Sequence, residues 1–85
     1  MELNILTPEG SIFSGEAYGV TMPGVTGSFQ VLDKHAPLIA ALGEGKLKVL
    51  QNSLTGPATY YEIQSGFVEV LNNKVTVLVE GAKKA

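Results

Sequence analysis

The chain has no cysteine, no tryptophan and no arginine, and it carries one histidine, His35. Without cysteine there is no disulfide framework, no thiolate zinc site and no thiol nucleophile. Without arginine, no bidentate guanidinium contact can form to a phosphate or a guanine edge. The six lysines are scattered rather than striped and the net charge is −2, so the sequence argues against a nucleic-acid partner. One imidazole and eight dispersed carboxylates offer no metal-ligand cluster. No run approaches the ~20 apolar residues of a membrane-spanning helix, and the start, MELNILTPEG, lacks the basic-then-apolar pattern of a signal peptide. Membrane contact is therefore expected only through a partner, and no cofactor is expected.

What is present is a single small domain of 85 residues, 45% apolar and 16% charged, far from a disordered composition. It is organised around Thr21–Leu47, which holds four of the ten glycines, half the prolines, His35 and the longest apolar run, Ala36–Leu42. Glu2–Thr7 alternates, with Leu3 and Ile5 on one face. Pro8-Glu9-Gly10 closes that strand. Ser11–Phe13 is a short extended piece, and Ser14-Gly15 reads as a bulge or corner before Ala17–Met22, where Tyr18, Val20 and Met22 are in phase. Pro23-Gly24 marks a turn, and Ser28–Leu32 a strand with Phe29 and Val31 inward. Asp33-Lys34-His35 turns the chain. Leu38–Leu42, between Pro37 and Gly43, is too short for an independent helix and is read as extended. Lys46–Asn52, Ala58–Gln64, Phe67–Leu71 and Lys74–Glu80 are strands, the last two joined by an Asn72-Asn73 hairpin turn.

The spacing predicts eight or nine short strands and no helix: an all-β antiparallel sandwich or flattened barrel over residues 1–80, with 81–85 as a tail. Ala36–Leu42 carries more apolar side chains than a half-buried strand can cover on one face, which marks a docking surface.

Chemistry finds little support. A Ser-His-Asp triad would need His35 with Asp33 on the same turn, and no serine sits on a strand–elbow–helix. Pro23–Gly27 is glycine-rich but leads into a strand, whereas a phosphate loop leads into a helix N-terminus. His35 reads as a turn-capping residue or a surface contact. Lys34 in a central turn suggests an alternative, a lipoyl- or biotinyl-type carrier domain modified on that lysine, although the halves show no twofold repeat. A carbohydrate-binding sandwich would need more exposed aromatics than Tyr18, Tyr60 and Tyr61.

Phe13-Ser14-Gly15, Gly24–Gly27, His35-Ala36-Pro37-Leu38, Gly45-Lys46-Leu47 and Gly66–Val70 closing on Asn73–Leu78, taken in order, resemble the N-terminal β-sandwich of the ε subunit of F-type ATP synthases (δ in mitochondria). The resemblance runs from Leu3 to Glu80. It implies about ten strands and a non-catalytic rotor subunit at the foot of the central stalk, monomeric when isolated. It places the protein peripherally at the cytoplasmic face of the bacterial inner membrane, docked on the γ subunit and the c-ring to couple ion-driven rotation to ATP synthesis.

Carried over residue by residue, the γ interface falls on Thr7, His35, Leu38 and Ala40, and the ring-facing loop on Gly24, Val25, Thr26, Gly27 and Ser28. Many relatives carry an acidic residue in that loop. Here there is none, so Thr26 and Ser28 hydroxyls and backbone groups are expected to replace an ion pair. Relatives usually continue into two α-helices. That C-terminal helical hairpin is absent from this sequence, and no ATP binding or helix-mediated inhibition is assigned to its residues.

Overall fold

The computed structural model describes all residues, Met1–Ala85, as ten β-strands with no helix. In chain order they are β1 (Glu2–Thr7), β2 (Gly10–Glu16), β3 (Gly19–Gly24), β4 (Gly27–Leu32), β5 (Leu38–Leu42), β6 (Gly45–Leu50), β7 (Ala58–Ile63), β8 (Gly66–Leu71), β9 (Lys74–Val79) and β10 (Ala82–Lys84). Hydrogen bonding follows the order β10-β7-β6-β3-β5-β8-β9-β1-β2, with β4 on the far edge of β3. The path divides into two layers, β4-β3-β6-β7-β10 and β5-β8-β9-β1-β2, joined through the single pair Gly24–Leu42. All pairings are antiparallel except β1 with β9. The all-β sandwich, closing almost into a barrel, is the architecture the alternation anticipated.

Period-two alternation builds the core directly. Leu3 and Ile5, Val20 and Met22, Leu47 and Val49, Val68 and Val70, and Val75 and Val77 all turn inward and are buried. Burying each such side chain contributes about 1.5–3 kcal/mol against the entropy of ordering the chain. The structure leaves no buried polar side-chain atom without a hydrogen-bond partner. Asn72 and Asn73 adopt φ of 51° and 61°, the left-handed pair that a two-residue primed turn requires.

Four local readings change. The irregularity in β2 lies at Ile12, not Ser14-Gly15: Ile5 faces Phe13, yet the next pair is Leu6 with Ser11. The extra residue lets both Ile12 and Phe13 pack against the core. Pro23-Gly24 belongs to β3, and the turn is Val25-Thr26. Proline is tolerated because Pro23 sits opposite Ser28 in a pair that exchanges no ladder bonds, and its carbonyl instead accepts from Gly43 N–H at 2.8 Å. Tyr18 falls outside the inward phase of β3 and is exposed, because the strand starts only at Gly19. Finally, the segment read as a tail contains β10, which pairs Ala82, Lys83 and Lys84 with Ile63, Glu62 and Tyr61 of β7. Its Ala-Lys-Lys composition has no strand preference of its own. The open edge of β7 supplies the template, and the two lysines blunt the new edge.

Candidate functional site

The two outer faces of the sandwich differ in chemistry. On the β4-β3-β6-β7-β10 layer, Gln30, Thr21, Lys48 and Tyr60 stand in one cross-strand row, and Lys46, Glu62 and Lys83 in the next. Lys48 Nζ lies 5.8 Å from the centre of the Tyr60 ring, and these two rows are largely polar, whereas the row beyond them, Leu32, Gly19, Leu50 and Ala58, is apolar with Leu50 buried. The outer face of the other layer carries Ala41, Phe67, Leu78 and Leu6 directly opposite one another across β5, β8, β9 and β1. Four adjacent strands at ~4.8 Å spacing make this row about 14 Å long. Val25 extends it past β5, since its N–H donates to the Ala41 carbonyl at 3.2 Å. Ile39, two residues from Ala41, flanks the row. Exposures of 73% for Ile39, 67% for Val25, 60% for Phe67 and 51% for Leu78 are far above what a folded strand leaves open by accident.

A groove of about 590 Å³ runs along this row, and Leu6, Pro8, Val25, Phe67 and Leu78 supply its apolar lining. Its shape depends on Gly66, where a Cβ would collide with the Leu78 carbonyl and approach Val79 Cα to 2.8 Å. Thr7 lines the same groove, but its hydroxyl is committed to the β1–β2 turn, donating to the Gly10 carbonyl at 3.1 Å and accepting from Glu9 N–H at 3.2 Å. A second depression of about 490 Å³ lies between β4 and β5 and gathers Gly24–Ser28 with Phe29, His35, Leu38 and Ala40. The structure thus brings the loop 24–28 together with three of the four residues assigned to a γ interface. Thr7 stands apart, linked to them only through Val25 and Ala41, which border both hollows.

Orientation within β5 is informative. Leu38 and Ala40 point inward and pack against the core at its open edge, while Ile39 and Ala41 face outward. The outward-facing apolar residues that the residue-by-residue γ assignment did not name are therefore Ile39, Ala41, Phe67, Leu78 and Leu6, although Ile39 and Ala41 lie in the Ala36–Leu42 run already marked as a docking surface. A signal for Phe67 was available: in Phe67-Val68-Glu69-Val70-Leu71, two valines in phase fix the inward face, leaving Phe67 and Leu71 outside. His35 closes the β4–β5 connection, its N–H donating to the Leu32 carbonyl at 3.2 Å and its Nδ1 lying 2.7 Å from the Ala36 carbonyl, which only a protonated Nδ1 can satisfy. Val25 and Thr26 keep negative φ, and Gly27 takes up the twist of the hairpin at φ 134°. Lys34 is exposed at φ 62°, with its backbone N–H donating to Asn73 Oδ1 at 2.7 Å. No three of the His, Asp and Glu side chains gather as a metal site would require.

Across residues 1–85 the chain matches the family described as the ATP synthase delta/epsilon chain, β-sandwich domain. It belongs to that family. It is 46% identical over 85 residues to the ATP synthase epsilon chain of Lawsonia intracellularis, covering 100% of this chain and 62% of the relative. To the epsilon chain of Chlorobaculum tepidum it is 44% identical over 78 residues, covering 92% and 86%. The chain thus spans about six-tenths of the length of the first of these. In fold it is similar to a chain of the Euglena gracilis mitochondrial ATP synthase OSCP/F1/c-ring structure, with TM-score 0.88 and 24% identity over 96% of this chain and 51% of that one. A chain of the Tetrahymena thermophila central stalk/c-ring structure gives 0.84 and 20%, over 98% and 65%.

Proposed function

We propose that this delta/epsilon-type domain is a non-catalytic element of the central stalk of an ion-translocating F-type ATP synthase. It docks on the γ subunit and meets the c-ring, coupling ring rotation to ATP synthesis at the cytoplasmic face of the membrane. The observation that carries the reading is the apolar row Val25–Ala41–Phe67–Leu78–Leu6 with Ile39 beside it, on one outer face only. In this reading that row and the neighbouring hollow of His35, Leu38 and Ala40 form the γ side, with Thr7 at its rim, and Gly24–Ser28 forms the ring side. The ring contact uses Thr26, Ser28 and backbone groups, since the loop has no acid.

The test is co-purification with the γ subunit of the same organism by gel filtration. A stoichiometric complex is expected, and Phe67→Glu should weaken it at least ~10-fold, the cost of disrupting a central apolar anchor, while circular dichroism of the variant stays native. Absence of a complex across several salt concentrations overturns the proposal.

A further inference from the structure

We propose that Asn73 is a positioning residue for the γ-side hollow: its side-chain amide grips the β4–β5 turn from the β8–β9 hairpin and so fixes how β4 and β5 stand around His35, Leu38 and Ala40. The inference rests on the docking reading above and adds a residue that reading does not include. β4 and β5 belong to different layers and share no ladder pair. The hollow of about 490 Å³ lies between them, with Phe29, His35, Leu38 and Ala40 in its lining. At one end, Val25 N–H donates to the Ala41 carbonyl at 3.2 Å and joins the β3–β4 turn to β5. At the other end β4 passes into β5 through Asp33–Pro37. There the grip comes from Asn73, on a hairpin of the β5 layer.

Asn73 Nδ2 donates to Asp33 Oδ1 at 2.8 Å, and Asn73 Oδ1 accepts from Lys34 N–H at 2.7 Å. Among side chains of this length only an amide meets both demands, because the Asp33 carboxylate can only accept and the Lys34 N–H can only donate. The same contact concentrates the unusual backbone of the molecule. Lys34, Asn72 and Asn73 are the only non-glycine residues with positive φ, at 62°, 51° and 61°. Asparagine tolerates that region, whereas lysine has no local compensation and is held there by its surroundings. Freeing the Lys34 N–H would let the turn relax. His35, bonded back to the Leu32 carbonyl at 3.2 Å, and the entry to Leu38 would shift with it. Asn73 does not line the hollow, so it acts through the turn. Its carbonyl accepts from Glu2 N–H at 3.1 Å, a backbone bond that side-chain variants leave in place.

Because the Met1 amine also reaches Asp33 Oδ1, at 3.0 Å, the single variants are made at position 73. Asn73→Gly keeps the positive φ and removes the amide. Asn73→Asp keeps an acceptor for Lys34 but sets a second carboxylate against Asp33. Exchanging the pair, Asp33→Asn with Asn73→Asp, again faces a donor with an acceptor.

The test measures γ binding of the full chain by calorimetry, at a temperature where circular dichroism shows every variant folded. Both single variants should bind about 10-fold more weakly, the effect of populating the docking geometry about a tenth of the time. The exchanged pair should recover to within ~3-fold of the native sequence. In heteronuclear NMR spectra of the isolated domain, Asn73→Gly should move the amide signals of Phe29, Leu38 and Ala40, and the exchanged pair should return them. Undiminished binding by both single variants overturns the proposal, as does a loss that the exchanged pair fails to repair. So do spectral changes confined to residues 33–35 and 72–74. If the native sequence itself does not bind γ, the docking reading falls, and the spectra alone decide whether Asn73 sets the hollow.

Discussion

At the residue scale, the Met1 ammonium donates to Asp33 Oδ1 at 3.0 Å, and this contact contributes to the pH response. Hydrogen bonding to Asp33, followed by its charge and that of Glu16, raises the α-amino group above its usual 8.0 against the opposing effect of burial. A group whose folded-state value is raised contributes stability that is complete below 8.0 and is lost as pH rises through the raised value. The Asn73 hydrogen bond, then the ammonium and Lys34, lower Asp33 beneath its usual 3.8. That contribution is present above 3.8 and is lost as pH falls through the lowered value. The melting temperature should therefore be flat between these limits and decline on both sides. Asp33→Asn should weaken both declines, measured by thermal melts from pH 3 to 10; an unchanged alkaline limb would show that the amine is held otherwise. Gly66→Ala should cost about 1–3 kcal/mol in urea unfolding, because the clash is with backbone that cannot turn away.

At the element scale, β5 offers a test of phase. Leu38→Glu should destabilise the fold by about 3 kcal/mol or more, placing an unpaired charge against the core. Ile39→Glu should change stability by no more than ~0.5 kcal/mol while impairing γ binding. Equal losses of stability in the two variants would show that the strand is not oriented as described. Strand phase explains why so much of this molecule was legible and what was not. Where valine or leucine alternates with lysine, glutamate or threonine, as in β6, β8 and β9, the inward face can be read residue by residue. Leu38-Ile39-Ala40-Ala41-Leu42 has no polar member, so nothing local states which side is out, and the γ-side residues were placed by resemblance alone. β10 was illegible for another reason. Its stability belongs to β7, and no property of Ala-Lys-Lys announces it. Deleting residues 82–85 should bare the β7 edge, lowering stability by about 1–2 kcal/mol and promoting aggregation visible by light scattering.

At the scale of the whole molecule, the parallel pair β1–β9 joins Glu2–Leu6 to Lys74–Leu78, the two ends of the sequence, so the core cannot close until both have been brought together. Refolding should consequently lie in the millisecond-to-second range of non-local β topologies rather than the microseconds of helical bundles. Stopped-flow relaxation faster than ~1 ms would contradict that. The join between the layers at Gly24–Leu42 has a mechanical meaning as well. The 24–28 turn is stitched to β5 by Val25 N–H to Ala41 and Gly43 N–H to Pro23, at 3.2 and 2.8 Å. In the proposed assembly, a sideways drag on that turn from a revolving ring would reach the γ-bound face through two backbone hydrogen bonds and one strand. The soft valine core would lie off the direct line of stress, and the domain would act as a stiff cleat rather than a cushion.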